Sequence, residues 1–229
     1  MFDLLIRGGT VVDGSGGEPR TADVAVQDGK IVAVGHDLGS ATRTLDADGL
    51  LVTPGFVDIH THYDAQITWD PHLSPTGDHG VTTAIFGNCG VGFAPARPGD
   101  AEHQYLIELM EGVEDIPGAA LSEGIQWDWE SFPEYMDAVD RAPKALDVGA
   151  QVPHASVRTY VMGERGANNE PATAEDIEAM AALVREGIQA GALGFSTSRT
   201  IAHKALNGEP MPGTFAAEDE LFGIGRVLG

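Results

Sequence analysis

The stretch Phe56-Val57-Asp58-Ile59-His60-Thr61-His62 decides how the rest of the chain is read. It is a short apolar run ending in two histidines one residue apart. Side chains alternate faces along a strand, so His60 and His62 project together, with Cα atoms about 6.5–7 Å apart. Neutral imidazoles at that separation can converge on one divalent ion. Two polar residues bonding nearby loops from a strand end would look the same in isolation. The placement of this pair at the C-terminal end of the first of several strands favours the metal reading, because β/α barrels build their active sites at that end.

Working outward from this run, the sequence predicts three further strands. They are Val81-Thr82-Thr83-Ala84-Ile85-Phe86, then Ala145 to Val152 ending at Pro153-His154, then Ala192 to Phe195 ending at Ser196-Thr197-Ser198-Arg199. Helical stretches lie between them. Ser131-Phe132-Pro133-Glu134 has the form of a capping box, and Thr173-Ala174-Glu175-Asp176 is a similar start. Ile177, Met180, Ala181, Val184 and Ile188 then recur at helical spacing, with Gly191 as the stop. Alternating strands and helices imply an α/β fold with a parallel sheet. The acidic segment Pro95 to Trp129, which contains Glu108, Glu111, Glu114 and Asp115, reads as a solvated helix and loop over the sheet's active end.

Before Pro54 the pattern differs. Asp3 to Ile6 and Thr10 to Asp13 are short strand candidates around Gly8-Gly9. Asp23 to Gln27 and Lys30 to Val34 flank Asp28-Gly29, a pair suited to a tight hairpin turn. Asp48-Gly49 is a second turn before Leu50-Leu51-Val52. The expected division is residues 1–53, a small β-sandwich portion, and residues 54–229, a β/α barrel portion.

Composition narrows the function classes. Hydrophobic residues make up 42% of the 229 and charged residues 21%, as in a globular protein with a sizeable core. With 35 acids against 13 bases the formal charge is −22, which disfavours nucleic acid and anionic membrane partners. A highly charged surface of this kind serves solubility or a salt-adapted setting. No apolar run is long enough for a membrane span, and the N-terminal residues lack a signal-peptide pattern. The lone cysteine, Cys89, excludes an internal disulfide framework and fits a reducing cytoplasm. It lies in the glycine-rich Gly87-Asn88-Cys89-Gly90 that follows the second strand, at the same end as His60 and His62. A lone cysteine is usually an inert core residue, yet glycines permit close backbone approach and a thiolate binds zinc strongly.

The stretch Val52 to His62 resembles the first barrel strand of the amidohydrolase superfamily. Tyr63-Asp64-Ala65-Gln66, Gly80-Val81-Thr82-Thr83 and Gly87-Asn88-Cys89-Gly90-Val91-Gly92-Phe93-Ala94-Pro95 are similar to its N-acyl-D-amino-acid deacylase (D-aminoacylase) branch. So are Trp127-Asp128-Trp129, Pro133-Glu134-Tyr135 and Gly191-Ala192-Leu193-Gly194-Phe195-Ser196. The resemblance implies a β-sandwich joined to a metal-dependent (β/α)8 TIM barrel, zinc as one or two Zn2+ ions, and hydrolysis of N-acyl-D-amino acids to D-amino acid and carboxylate. It matches His60 and His62 to two metal-binding histidines and Cys89 to a zinc-ligating cysteine. Many amidohydrolases carry a carbamylated lysine after the fourth strand. Ser196-Thr197-Ser198 stands there instead, with Lys204 farther along, so Cys89 takes the anionic ligand's place.

Four other residues are candidates for substrate contact. His154 ends the third strand, where the alternative is a hydrogen bond to loop backbone. Ser198 and Arg199 follow the fourth, and the guanidinium of Arg158 suits a carboxylate. A (β/α)8 barrel uses ~250 residues, and residues 53–229 fall short of that. The expectation is an N-terminal fragment holding strands 1–4, weak in zinc binding and inactive alone, with the remaining histidines and a general-base aspartate beyond Gly229. Other C–N hydrolases of the superfamily, such as hydantoinase-like, dihydroorotase-like or N-substituted formamide deformylase enzymes, and a catalytically inactive binding relative are the competing readings.

Overall fold

The computed structural model describes residues 1–229, which form two compact units, Met1–Gly55 and Phe56–Gly229. The first unit is a five-stranded sheet of β1 (Phe2–Val11), β2 (Arg20–Gln27), β3 (Lys30–Gly35), β4 (Ala41–Asp46) and β5 (Leu51–Val52). The order is β3-β2-β1-β4, with β5 also on β1. The β2–β3 hairpin turns at Asp28-Gly29, whose φ angles of 51° and 71° are those the sequence pair favours. Sequence alone split β1 in two at Gly8-Gly9. The strand instead runs through them with a register shift, and Asp23 Oδ1 accepts from Gly8 N at 2.9 Å. A bulge therefore replaces the expected break.

In the second unit, β6 (Phe56–Asp58), β7 (Val81–Phe86) and β8 (Asp147–Ala150) pair in parallel, and β9 (Val152–Pro153) pairs in parallel with β10 (Phe195–Ser196). The expected third strand is thus two pieces interrupted at Gln151, and the fourth shifts toward Ser196. Between β7 and β8 lie α1 (Asp100–Glu114), α2 (Gly118–Gly124) and α3 (Phe132–Arg141). Between β9 and β10 lie α4 (His154–Met162), α5 (Glu164–Ala167) and α6 (Ala174–Gln189), and α7 (Glu218–Gly225) follows. The unit is α/β, as the sequence predicts. No helix is long and apolar enough to cross a membrane.

Local chemistry explains the helix starts. Ser131 accepts from Glu134 N while Glu134 bonds back to Ser131 N, and Thr173 and Asp176 make the same reciprocal pair. Downstream, Met180 and Val184 are fully buried, each worth about 1.5–3 kcal/mol of apolar burial. The acidic segment requires a correction. The α1 helix is not merely solvated, because Leu106, Ile107, Leu109 and Met110 form a buried stripe at helical spacing beneath its acids. That stripe anchors the helix to the core and fixes where its last residue, Glu114, can reach.

Candidate metal centre

Two neighbouring parallel strands deliver the histidines and the cysteine. Between the histidines, Thr61 turns the opposite way. It is buried, and its backbone N and Oγ1 both donate to Ile85 O, at 2.9 and 2.8 Å. The side chain of Asn88 donates to Thr61 O at 3.1 Å and to Ile85 O at 2.9 Å. With Thr61 fastened to β7, His60 and His62 share the other side, their ring centroids 5.5 Å apart.

The Cys89 turn follows β7. Gly87 has φ +78°, and a Cβ there would stand 2.2 Å from Gln151 O. Cys89 itself has φ +54°, an uncommon setting for a residue with a side chain. That backbone brings its Sγ to 3.2 Å from His60 Nε2. Ser196 bridges the turn to β10. Its Oγ accepts from Gly90 N at 3.0 Å and donates to Gly87 O.

The ligand atoms of His60, His62 and Cys89 all lie within 4.8 Å of one another. Cys89, Glu114 and His203 form a second such trio. His62 Nε2 and Glu114 Oε2 are 3.3 Å apart, without hydrogen-bond alignment. The unpartnered buried side-chain atoms of the chain are His62 Nδ1, His62 Nε2, Asp64 Oδ2 and Glu114 Oε1. All four belong to three residues at or beside these trios.

Protonation in this cluster follows first from burial and then from the neighbouring groups. Burial, then His60 and His203, lowers the His62 pKa to about 4. Burial, then Glu114, raises the Cys89 thiol to about 11, and burial raises Asp64 to about 7. Glu114 is also raised, chiefly by burial. Imidazole, thiol and carboxylate groups gathered here, with the side-chain atoms of His62, Asp64 and Glu114 named above unpartnered, suit a divalent cation of the zinc type.

The other sequence candidates fall elsewhere. His154 and Arg158 lie one turn apart on α4, and both are fully buried. His154 bonds Thr197 Oγ1 at 2.8 Å and Glu220 Oε1 at 2.9 Å. Arg158 bonds Glu220 and the Glu170 carbonyl. Neither faces an open site, because the chain enters α4 at His154 itself and turns this face toward α7. Ser198 Oγ meets His203 Nδ1 at 3.0 Å, and Arg199 is exposed. Sequence reasoning missed Asp64, Glu114 and His203. For Asp64 a signal existed, since His60, His62 and Asp64 stand at alternate positions. Nothing local separates Glu114 from its acidic neighbours, or His203 from other loop histidines.

Parallel strands that gather imidazole, thiol and carboxylate groups at their ends define an α/β protein with a candidate metal centre. The sequence profile of the amidohydrolase family matches residues 43–227. The chain belongs to the amidohydrolase family. It is 36% identical over 197 residues to the D-aminoacylase of Alcaligenes xylosoxydans xylosoxydans, covering 86% of this chain and 37% of that protein. It is 34% identical over 229 residues to the N-acyl-D-glutamate deacylase of the same organism, covering 99% and 41%. Among solved structures, the N-acyl-D-glutamate deacylase of Bordetella bronchiseptica matches with a TM-score of 0.79 and 33% identity, covering 99% of this chain and 42% of that one. That enzyme is complexed with zinc and a phosphonate inhibitor mimicking the tetrahedral intermediate of its reaction. The chain spans about two fifths of the length of these relatives.

Proposed function

We propose that this chain belongs to a zinc-dependent deacylase that hydrolyses N-acyl-D-amino acids to D-amino acid and carboxylate. Residues 1–53 are read as part of a β-sandwich and residues 54–229 as strands 1–4 of a (β/α)8 barrel. The observation that carries the reading is the gathering of every unpartnered buried side-chain atom around His62, Asp64 and Glu114, beside His60 and Cys89.

In this reading His60, His62 and Cys89 hold the ion. Bound there, a zinc ion supplies Lewis-acid polarisation of a substrate carbonyl. The chain's own residues prepare that position. Thr61 and Asn88 lock the histidine segment to β7, and Ser196 holds the cysteine turn. Burial keeps the His62 imidazole neutral, so its lone pair is available. Arg199, exposed just beyond Ser198, is the group offered to a substrate carboxylate, whereas His154 and Arg158 are committed to Glu220.

The test uses the complete protein that contains this chain. It is assayed against N-acyl-D-amino acids, their L-enantiomers, hydantoins and N-substituted formamides, alongside zinc analysis. D-selective deacylation lost in His60→Ala together with zinc is the expected result. Turnover confined to hydantoins or formamides, or unchanged zinc and activity in His60→Ala and Cys89→Ala, overturns the reading.

A further inference from the structure

The turn that carries Cys89 is held between the start of α4 and the end of β10, and one buried histidine joins those two segments. The first N–H groups of a helix have no partner within it, and Ala155 N donates to Gly90 O at 2.9 Å. Ser156 Oγ, fully buried, donates to Gly92 O at 2.8 Å. On the other side, Ser196 Oγ bonds Gly87 and Gly90. A Cβ on Gly90 would stand 3.0 Å from Thr197 Cα, so glycine permits the approach.

Main-chain pairing between β9 and β10 ends at Pro153 and Ser196. One residue further along each, a side-chain bond takes over, with His154 Nδ1 2.8 Å from Thr197 Oγ1. The imidazole that makes it is closely confined. Its ring meets that of Phe195 edge to face, with centroids 5.1 Å apart, and a Cβ on Gly213 would stand 2.6 Å from Nδ1. Its Nε2 lies 2.9 Å from Glu220 Oε1 on α7. An ionised carboxylate only accepts, so Nε2 carries the proton of that bond. Arg158, one turn further along α4, holds the same carboxylate.

A buried ion pair is weak evidence for stability in itself. Arg158 and Glu220 already pair with each other, so charge balance does not call for the imidazole. What His154 adds is the bond to Thr197, which ties α7 to the chain beside the Cys89 turn.

We infer that His154, braced by Glu220, is a positioning residue that acts through Thr197 to set how the Cys89 turn meets the metal. This rests on the reading of His60, His62 and Cys89 as a zinc site. His154 is not a ligand in it, because both of its nitrogens are already bonded. The consequence is that α7, which supplies no ligand, tightens zinc binding by seating on His154.

The experiment uses the complete protein that contains this chain. Zinc affinity is measured by chelator competition, and the cobalt-loaded protein is read by its thiolate-to-cobalt charge-transfer band. Thr197→Val keeps the side chain's shape and deletes the bond. It should weaken zinc about tenfold and shift the cobalt band. Thr197→Ser keeps the hydroxyl and should stay within a factor of three of the parent, with the parent's spectrum. His154→Asn should reproduce the valine result, and if it does not fold the two Thr197 variants still decide. Ser131→Ala, far from the turn in its bonding, calibrates a loss of stability with no effect on zinc. Parent-like zinc affinity and cobalt spectrum in Thr197→Val overturn the inference, whatever happens to its melting temperature. Equal losses in Thr197→Ser and Thr197→Val also overturn it, because the hydroxyl would then not be the group at work. If His60→Asn and Cys89→Ser leave zinc binding unchanged, the zinc reading itself fails, and this inference with it.

Discussion

His60 Nε2 lies 3.2 Å from Cys89 Sγ, although 29 residues separate them in the chain. The contact exists because β6 and β7 are parallel neighbours, so both residues emerge at the same end of the sheet. Removing either should weaken zinc binding directly. Substitution of residues that merely orient a ligand costs about 10–100-fold in affinity, and Cys89→Ala or His60→Ala should exceed about 100-fold. Competition against a chelator of known affinity measures this. Affinities within a factor of three of the parent would remove these residues from the ligand set.

The helix caps offer a contrasting case. Ser131→Ala and Thr173→Ala each delete a side chain that accepts from the third helical residue. Each should lower stability by about 1 kcal/mol and leave zinc affinity unchanged, since neither contacts the ligand trios. Urea denaturation with and without zinc separates the two effects. A cap variant that released zinc at full stability would place the caps in the site.

How much of this was readable beforehand follows from the range of the interactions. The hairpin at Asp28-Gly29, both capping boxes and the His60–His62 alternation depend on residues within a few positions, and the sequence showed them. Cys89 was legible because its glycine-rich turn follows a strand. Glu114 was not. Its place depends on a buried stripe of α1 packing into the core and on Gly112 touching the 204–206 backbone, contacts across some 90 residues. His154 and Arg158 read as substrate candidates from sequence, and their bonds to Glu220 are hidden there for the same reason. Their partner, Glu220, lies more than 60 residues away, and no local pattern announces it.

That partner sets a pH dependence. Burial tends to raise the Glu220 carboxyl, but its bonds to His154 and Arg158 outweigh this and hold it below its ordinary value near 4.5. A carboxylate with a depressed folded pKa contributes stability that is complete above its unfolded value and is lost as pH falls through the folded one. Glu220→Gln should therefore cost about 3–5 kcal/mol at neutral pH, because it strands the buried Arg158 charge. It should also flatten the decline in melting temperature below pH 4.5. Parallel melting profiles of parent and variant that stay superimposed through the acid range would show that the pair contributes nothing.

Gly87 gives the sharpest test of how the cysteine turn is built. Its φ of +78° is close to the +74° of Gly49, yet the surroundings differ. At Gly49 a Cβ would meet nothing within 4 Å, so alanine there costs only the left-handed backbone penalty of about 1–2 kcal/mol. At Gly87 the same Cβ would lie 2.2 Å from Gln151 O, a backbone atom at the junction of β8 and β9 that cannot rotate away. Gly87→Ala adds an overpacking cost of about 1–3 kcal/mol. Relief of that clash must move either β9 or the turn that aims Cys89 at His60. The variant should accordingly be less stable than Gly49→Ala and should also bind zinc more weakly, a change Gly49→Ala does not produce. Measuring melting temperature and zinc affinity on both alanine variants decides it. Equal losses of stability with unaltered zinc affinity in both would mean that the Cys89 turn is not held against Gln151 as described.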